Sequence, residues 1–115
     1  MIDLKLRTKE FALQIIRILN KVPFSTSSSI LSKQLIRSAT SIGANYRSAL
    51  RGKSKADFIA KLAIAEEEAD ECCYWLDILI ELKITNPEES KKLLQEANEL
   101  TAILTASSKT AKANR

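Results

Sequence analysis

Apolar residues recur at helical spacing in four segments of the chain. In the first, Phe11, Ile15, Ile18 and Val22 form one stripe, with Ala12, Ile16 and Leu19 beside it and Arg7, Glu10, Gln14, Arg17 and Lys21 opposite. This predicts a helix over residues 4–21, stopped by Pro23, which disfavours helical ψ at the residue before it. The polar loop from Phe24 to Ser29 offers hydroxyls for an N-cap, and Phe24 is expected to pack as a plug. The second segment, 28–50, has one stripe of Leu31, Leu35, Ser38, Ile42, Asn45 and Ala49, and a neighbouring one of Ile30, Gln34, Arg37, Ser41 and Ala44. Many of these side chains are small or polar, which lets a partner helix approach closely. Gly43 costs about 1 kcal/mol against Ala inside a helix, and close helix contact is the expected compensation.

Arg51-Gly52-Lys53-Ser54 reads as a turn, with Gly52 suited to a left-handed helix end and Ser54 and Asp57 to a capping box of the shorter acid. The third segment, 55–82, has a seam of Phe58, Leu62, Ala65, Ala69, Cys72, Leu76 and Leu79. A second line reads Ile64, Glu68, Glu71, Trp75, Ile78 and Leu82; two lines suggest burial on two sides, by the core and by a subunit interface, or else one wide core face. Thr85-Asn86-Pro87-Glu88-Glu89 is the clearest helix start, with a capping Asn, Pro at the first helical position and acids at the positive helix end. Leu93, Ala97, Leu100 and Leu104 continue it to about residue 106, and 107–115 reads as a flexible basic tail. Four amphipathic helices with short connections predict a single all-α domain over residues 1–115, an antiparallel up-down-up-down four-helix bundle.

Composition changes this picture little: two Gly, two Pro and 5% aromatic residues imply few, long elements and an aliphatic core. Charge changes it more. Residues 1–55 hold eleven Lys or Arg against Asp3 and Glu10, a net of +9, and residues 56–115 carry a net of −5. The two halves can neutralise each other within the bundle or between subunits, or leave a basic surface for polyanions. No apolar run approaches the ~18 residues that span a bilayer, and charged residues interrupt the N-terminal stretch, so a soluble cytoplasmic protein is expected. There is no His, and Cys72 and Cys73 are adjacent, so neither a zinc ligand set nor an activated nucleophile is expected. No metal or other cofactor is implied.

With the hairpin midpoint at Gly52/Lys53, antiparallel partners sum to about 105 in residue number. That sets Arg37 opposite Glu68, with Glu71 one turn further on, and predicts a buried or half-buried network with Ser38 and Ser41 as hydrogen-bonding neighbours. Asn45 falls opposite residue 60 or 61. Glu68 and Glu71 share a helical face, yet paired acids without a His partner read as structural rather than as acid–base or metal chemistry. Tyr74 and Trp75 read as packing residues. Arg47, Arg51, Lys53, Lys55 and Lys61 cluster around the turn, either as a phosphate-binding surface or as a solvated, solubilising one. Only Tyr46 and Phe58 stand near for base stacking, but oligomerisation would multiply weak sites.

The stretch Gln34-Leu35-Ile36-Arg37-Ser38-Ala39-Thr40-Ser41-Ile42-Gly43-Ala44-Asn45 resembles the signature of the four-helix-bundle proteins encoded in intervening sequences of bacterial 23S ribosomal RNA genes. Ser54, Asp57-Phe58, Lys61-Leu62-Ala63-Ile64-Ala65, Glu68, Glu71 and Trp75-Leu76 are similar to that family's third helix, so the resemblance covers nearly the whole chain. It implies a left-handed bundle that can assemble as a homopentamer, and it does not imply an enzyme. The related accessory proteins of diversity-generating retroelements form similar barrels and bind nucleic acid, so RNA or DNA is an implied partner. Arg37, Asn45, Glu68 and Glu71 are implied as structural or interface residues. The family often has an acid soon after Asn45, where this chain has Arg47-Ser48-Ala49, which makes the turn more basic.

Overall fold

The computed structural model describes residues 3–115 as four helices: α1 (Leu4–Leu19), α2 (Thr26–Leu50), α3 (Lys55–Glu81) and α4 (Pro87–Ala113). Each packs antiparallel on its sequence neighbours, α1 closes the ring on α4, and among the described residues the backbones of the diagonal pairs stay apart while their side chains share the core. The result is an all-α four-helix bundle of 46 × 21 × 20 Å. Its core follows most of the predicted stripes, with Phe11, Ile15 and Ile18 from α1, Leu35 and Ile42 from α2, Leu62 to Leu79 along the α3 seam, and Ala97, Leu100 and Leu104 from α4. Ala39, in neither predicted stripe of α2, is buried with them, whereas Ile30 and Ala44 are exposed.

The helix ends explain most departures from the sequence reading. α1 stops at Leu19 rather than residue 21, because tighter bonds from Lys21 N to Ile18 O and from Val22 N to Leu19 O draw the chain out of the helix before Pro23. α2 begins at Thr26, not Ser28. Ser25 is its N-cap, accepting from Ser28 N at 3.0 Å, while Ser28 Oγ accepts from Ser25 N at 2.8 Å, so the two serines form a reciprocal capping box. Ser28 Oγ also donates to Pro23 O. These hydroxyls close the loop themselves, Val22 packs on the core, and Phe24 points outward, 87% exposed, rather than serving as a plug.

Neither glycine has a positive φ. Gly52 is needed for space instead: a Cβ there would meet Asp57 Oδ2 at 2.8 Å and Ala49 O at 3.0 Å. Gly43 marks the close approach of α1, where a Cβ would meet Thr8 Oγ1 at 3.0 Å. Ser54 caps α3 by accepting from Asp57 N at 3.1 Å. Among the described residues the left-handed one is Lys83, at φ 57°. It ends α3 in a Schellman motif, with Lys83 N bonded to Ile80 O and Ile84 N to Leu79 O. Asn86 and Pro87 start α4 as predicted. That helix does not stop near residue 106; it runs to Ala113, because Ser108 and Ala111 are buried and continue the apolar stripe past Leu104. The residues read as a flexible tail are thus mostly helical.

Candidate functional site

Two polar constellations stand on the α2–α3 hairpin, one midway along it and one at its turn. Midway, Arg37 Nη1 donates to Glu68 Oε2 at 2.9 Å and Nη2 donates to Glu71 Oε1. Nη2 also reaches Ser38 Oγ at 3.1 Å, and Ser38 in turn donates to Glu71 Oε1 at 2.9 Å. Trp75, one turn along α3, donates its indole N–H to the same oxygen at 3.0 Å. Glu71 therefore collects three donors on one oxygen. The Trp75 bond, then Ser38 and the Arg37 charge, hold its carboxyl below the usual range against the opposing effect of burial.

Glu68 is buried, but the Arg37 side chain is 51% exposed, so the guanidinium caps the network from the solvent side. Ser41 is not part of it. It accepts from Asn45 Nδ2, at 2.8 Å on its carbonyl and 3.4 Å on its hydroxyl, so Asn45 turns back along its own helix instead of crossing to α3. Trp75 was read as a packing residue, and its donor role was missed; the signal was its position four residues after Glu71, on the same helical face.

At the turn, Arg47, Arg51 and Lys53 line an open hollow of about 790 Å³ with Ala44, Ser48 and Asp57. Lys55 is exposed beside it, and Lys61 is half-buried further along α3. The structure adds cations that the sequence order hides. α4 runs back along α3, with Thr105 Oγ1 donating to Glu66 at 2.8 Å and Cys73 Sγ 3.5 Å from Asn98 Oδ1. Continued by rise per residue, this register sets Lys109, Lys112 and Arg115 beside the start of α3. Residues 46–62 and 107–115 hold eight Lys or Arg and one acid, Asp57, and the start of α1 brings Asp3, Lys5 and Lys9 to the same end. Tyr46 and Phe58 are half-buried and pack against the core.

A second polar bridge was not anticipated. Arg7 of α1 grips Glu96 of α4 through Nε and Nη2, both at 2.7 Å, and reaches Glu99 at 3.1 Å. These carboxylates hold its guanidinium still more firmly protonated. Between α1 and α2 lies an open groove of about 520 Å³ lined by Lys5, Thr8, Lys9, Ala12, Thr40 and Gly43 among others; it shares Arg47 with the hollow at the turn. The Cys72 thiol is buried and pushed well up by desolvation, and Cys73 is pushed up for the same reason, so both are poor nucleophiles. Among the described residues no group of three or more Cys, Asp or Glu is arranged to hold a metal ion, and no helix is long and apolar enough to cross a membrane.

The family described as 23S rRNA-intervening sequence protein matches residues 2–106. The fold is shared with a crystal structure from Bacteroides thetaiotaomicron, described as a protein of unknown function from the S23 ribosomal protein family. The similarity has a TM-score of 0.83 and 36% sequence identity, covering 93% of this chain and 99% of that one. No curated protein matches the sequence.

Proposed function

The chain belongs to the 23S rRNA-intervening sequence protein family, and from that premise we propose that it is a non-enzymatic, self-associating bundle whose basic end holds the phosphate backbone of RNA or DNA. The observation that carries this reading is the end formed by the α2–α3 turn and the close of α4. Arg47, Arg51, Lys53, Lys55, Lys61, Lys109, Lys112 and Arg115 gather there against Asp57 and, at the start of α1, Asp3, and none of the eight forms a salt bridge among the described residues. Like charges held together without partners repel, and a polyanion relieves that repulsion while releasing its own counterions. With Tyr46 and Phe58 packed against the core, contact is to phosphate, so binding is weak per chain and indifferent to sequence. Several copies in one assembly raise it by avidity. The Arg37–Glu68–Glu71 network serves here to fix the hairpin that carries the turn.

Titration of a fluorescent single-stranded RNA, and of the matching duplex, at about 50 and 200 mM salt tests this reading. Affinity should fall at least tenfold over that range, by roughly the counterion release of a few phosphate contacts. Replacing Arg51, Lys53 and Lys55 with Glu should abolish binding and leave the circular dichroism unchanged. Salt-insensitive binding, or binding unchanged in the triple variant, would place the site elsewhere. A protein that ignores both nucleic acids would favour the second reading, a protein-binding scaffold, to which the exposed Ile64, Tyr74 and Leu82 of α3 lend support.

A further inference from the structure

Two surfaces of the chain match each other in spacing, sign and shape. On α2, Lys33, Thr40 and Arg47 stand seven residues apart and share one face. That face borders α1, where Lys5 and Lys9 are exposed, and the groove between the helices is lined by the small side chains of Thr8, Ala12 and Thr40 and by Gly43. Its rim is cationic, with Asp3 as the one carboxylate along it. On α3, Glu67, Tyr74 and Glu81 also stand seven residues apart, and Asp70 and Asp77 flank the tyrosine. All five are exposed, and Tyr74 is 60% exposed on the side of the helix away from the buried Cys72 and Leu76.

From Lys33 to Arg47 and from Glu67 to Glu81 the rise is the same, about 21 Å. A small-residue gap stands at the middle of the first span and an aromatic ring at the middle of the second. Neither set is neutralised at home. Among the described residues, none of Lys5, Lys9, Lys33, Arg47, Glu67, Asp70, Asp77 and Glu81 takes part in a salt bridge.

We propose that the α3 ridge of one copy seats in the α1/α2 groove of a second copy. Tyr74 lies in the groove over Ala12, Thr40 and Gly43, and Asp70 and Asp77 face Lys5 and Lys9. The inference rests on the self-association in the reading above and gives that association its surfaces. Matched charge at the rim sets register and rejects wrong partners, while the aromatic anchor supplies the buried contact. Groove and ridge are different surfaces, so the contact is head-to-tail, and each added copy presents a fresh groove or ridge until a ring closes.

The test is the mass in solution, by light scattering after size exclusion, of the wild-type chain and four variants. Lys5→Glu with Lys9→Glu should weaken association about tenfold or more, and so should Asp70→Lys with Asp77→Lys, because each sets like charges face to face. The two double variants move the net charge from +4 in opposite directions, to 0 and to +8, so loss of assembly in both is not a general charge effect. The chain carrying all four swaps should assemble again, which a misfolded variant would not do. Tyr74→Ala should weaken assembly with every charge retained. All these positions are exposed, and circular dichroism checks that each variant folds. Assembly that persists in both double variants, or a quadruple variant that stays dissociated, would overturn the docking while leaving self-association standing. A wild-type chain that is monomeric would overturn both. RNA binding is measured separately, since Arg51, Lys53 and Lys55 are untouched.

Discussion

Ser38 of α2 donates its hydroxyl to Glu71 of α3 across 2.9 Å, and the same hydroxyl accepts from Arg37 at 3.1 Å. The serine thus bridges an anion and a cation, and its smallness lets the helices come close enough for Arg37 to reach both Glu68 and Glu71. Glu68 is the buried member, and Arg37 is the ionic partner it has among the described residues. Arg37→Ala should therefore destabilise the fold by about 1–3 kcal/mol, the cost of leaving a buried acceptor unpaired. The loss stays below that of a fully buried ion pair because the guanidinium is half in water. Urea unfolding measures it, and a change within about 0.5 kcal/mol would show that Glu68 finds another partner.

The same network makes stability depend on pH. Glu71's carboxyl sits below its ordinary value in the folded chain, so folding favours the ionised form. The stabilisation is fully present above the unfolded carboxylate value of about 4.3 and is lost as pH falls through the lower, folded value. Glu71→Gln cannot titrate. Thermal unfolding of wild type and variant between pH 7 and 3 should give a difference that is largest at neutral pH and shrinks at the acid end. Other carboxylates titrate in both chains and cancel in the difference. Parallel curves would assign the acid sensitivity to other groups.

How much of this was legible in the sequence depended on what fixed the register. Arg37 and Glu68 could be set opposite each other because a four-residue turn ties α2 to α3, and rise per residue does the rest. Arg7 and Glu96 could not, because α1 and α4 are joined only through the other two helices and nothing local fixes their offset. The reach of α4 was missed because Ser108 and Ala111 are not apolar enough to mark a stripe, although both are buried. Phe24 misled for the opposite reason: hydrophobicity suggested burial, but the hydroxyls of Ser25 and Ser28 had already closed the loop. Lys5 and Lys9 counted in the sequence only as charges that interrupt the N-terminal stretch, and the fold sets them beside Arg47.

Lys83 pays for the α3–α4 turn. Its φ of 57° is a conformation in which a Cβ crowds the following carbonyl, and glycine is the usual residue at this place in a Schellman motif. Lys83 is exposed, so its side chain contributes little packing. Lys83→Gly should stabilise the protein by about 0.5–1 kcal/mol, the relieved strain outweighing the greater freedom of glycine in the unfolded chain. A shift of the urea midpoint at unchanged slope would report it. A loss of stability would mean that the lysine's stem or charge contributes more at this turn than its exposure suggests.

Ser108 tests where α4 ends. It lies beyond the last leucine of the helix, is 3% exposed, and its Oγ has no hydrogen-bond partner. A hydroxyl taken out of water without a partner costs about 1–3 kcal/mol, and Ser is also a poorer helix former than Ala by about half a kcal/mol. Ser108→Ala should then stabilise the bundle by about 1–2 kcal/mol, since the methyl group fits where the hydroxymethyl was. Were the last turns frayed, the hydroxyl would already be hydrated and only the small propensity gain would remain. Unfolding in urea separates the two outcomes, and amide exchange over residues 107–113 supplies the second reading. Protection comparable to the middle of α4 goes with a packed end, whereas exchange at the rate of a free peptide would return these residues to the tail that their sparse apolar pattern suggested.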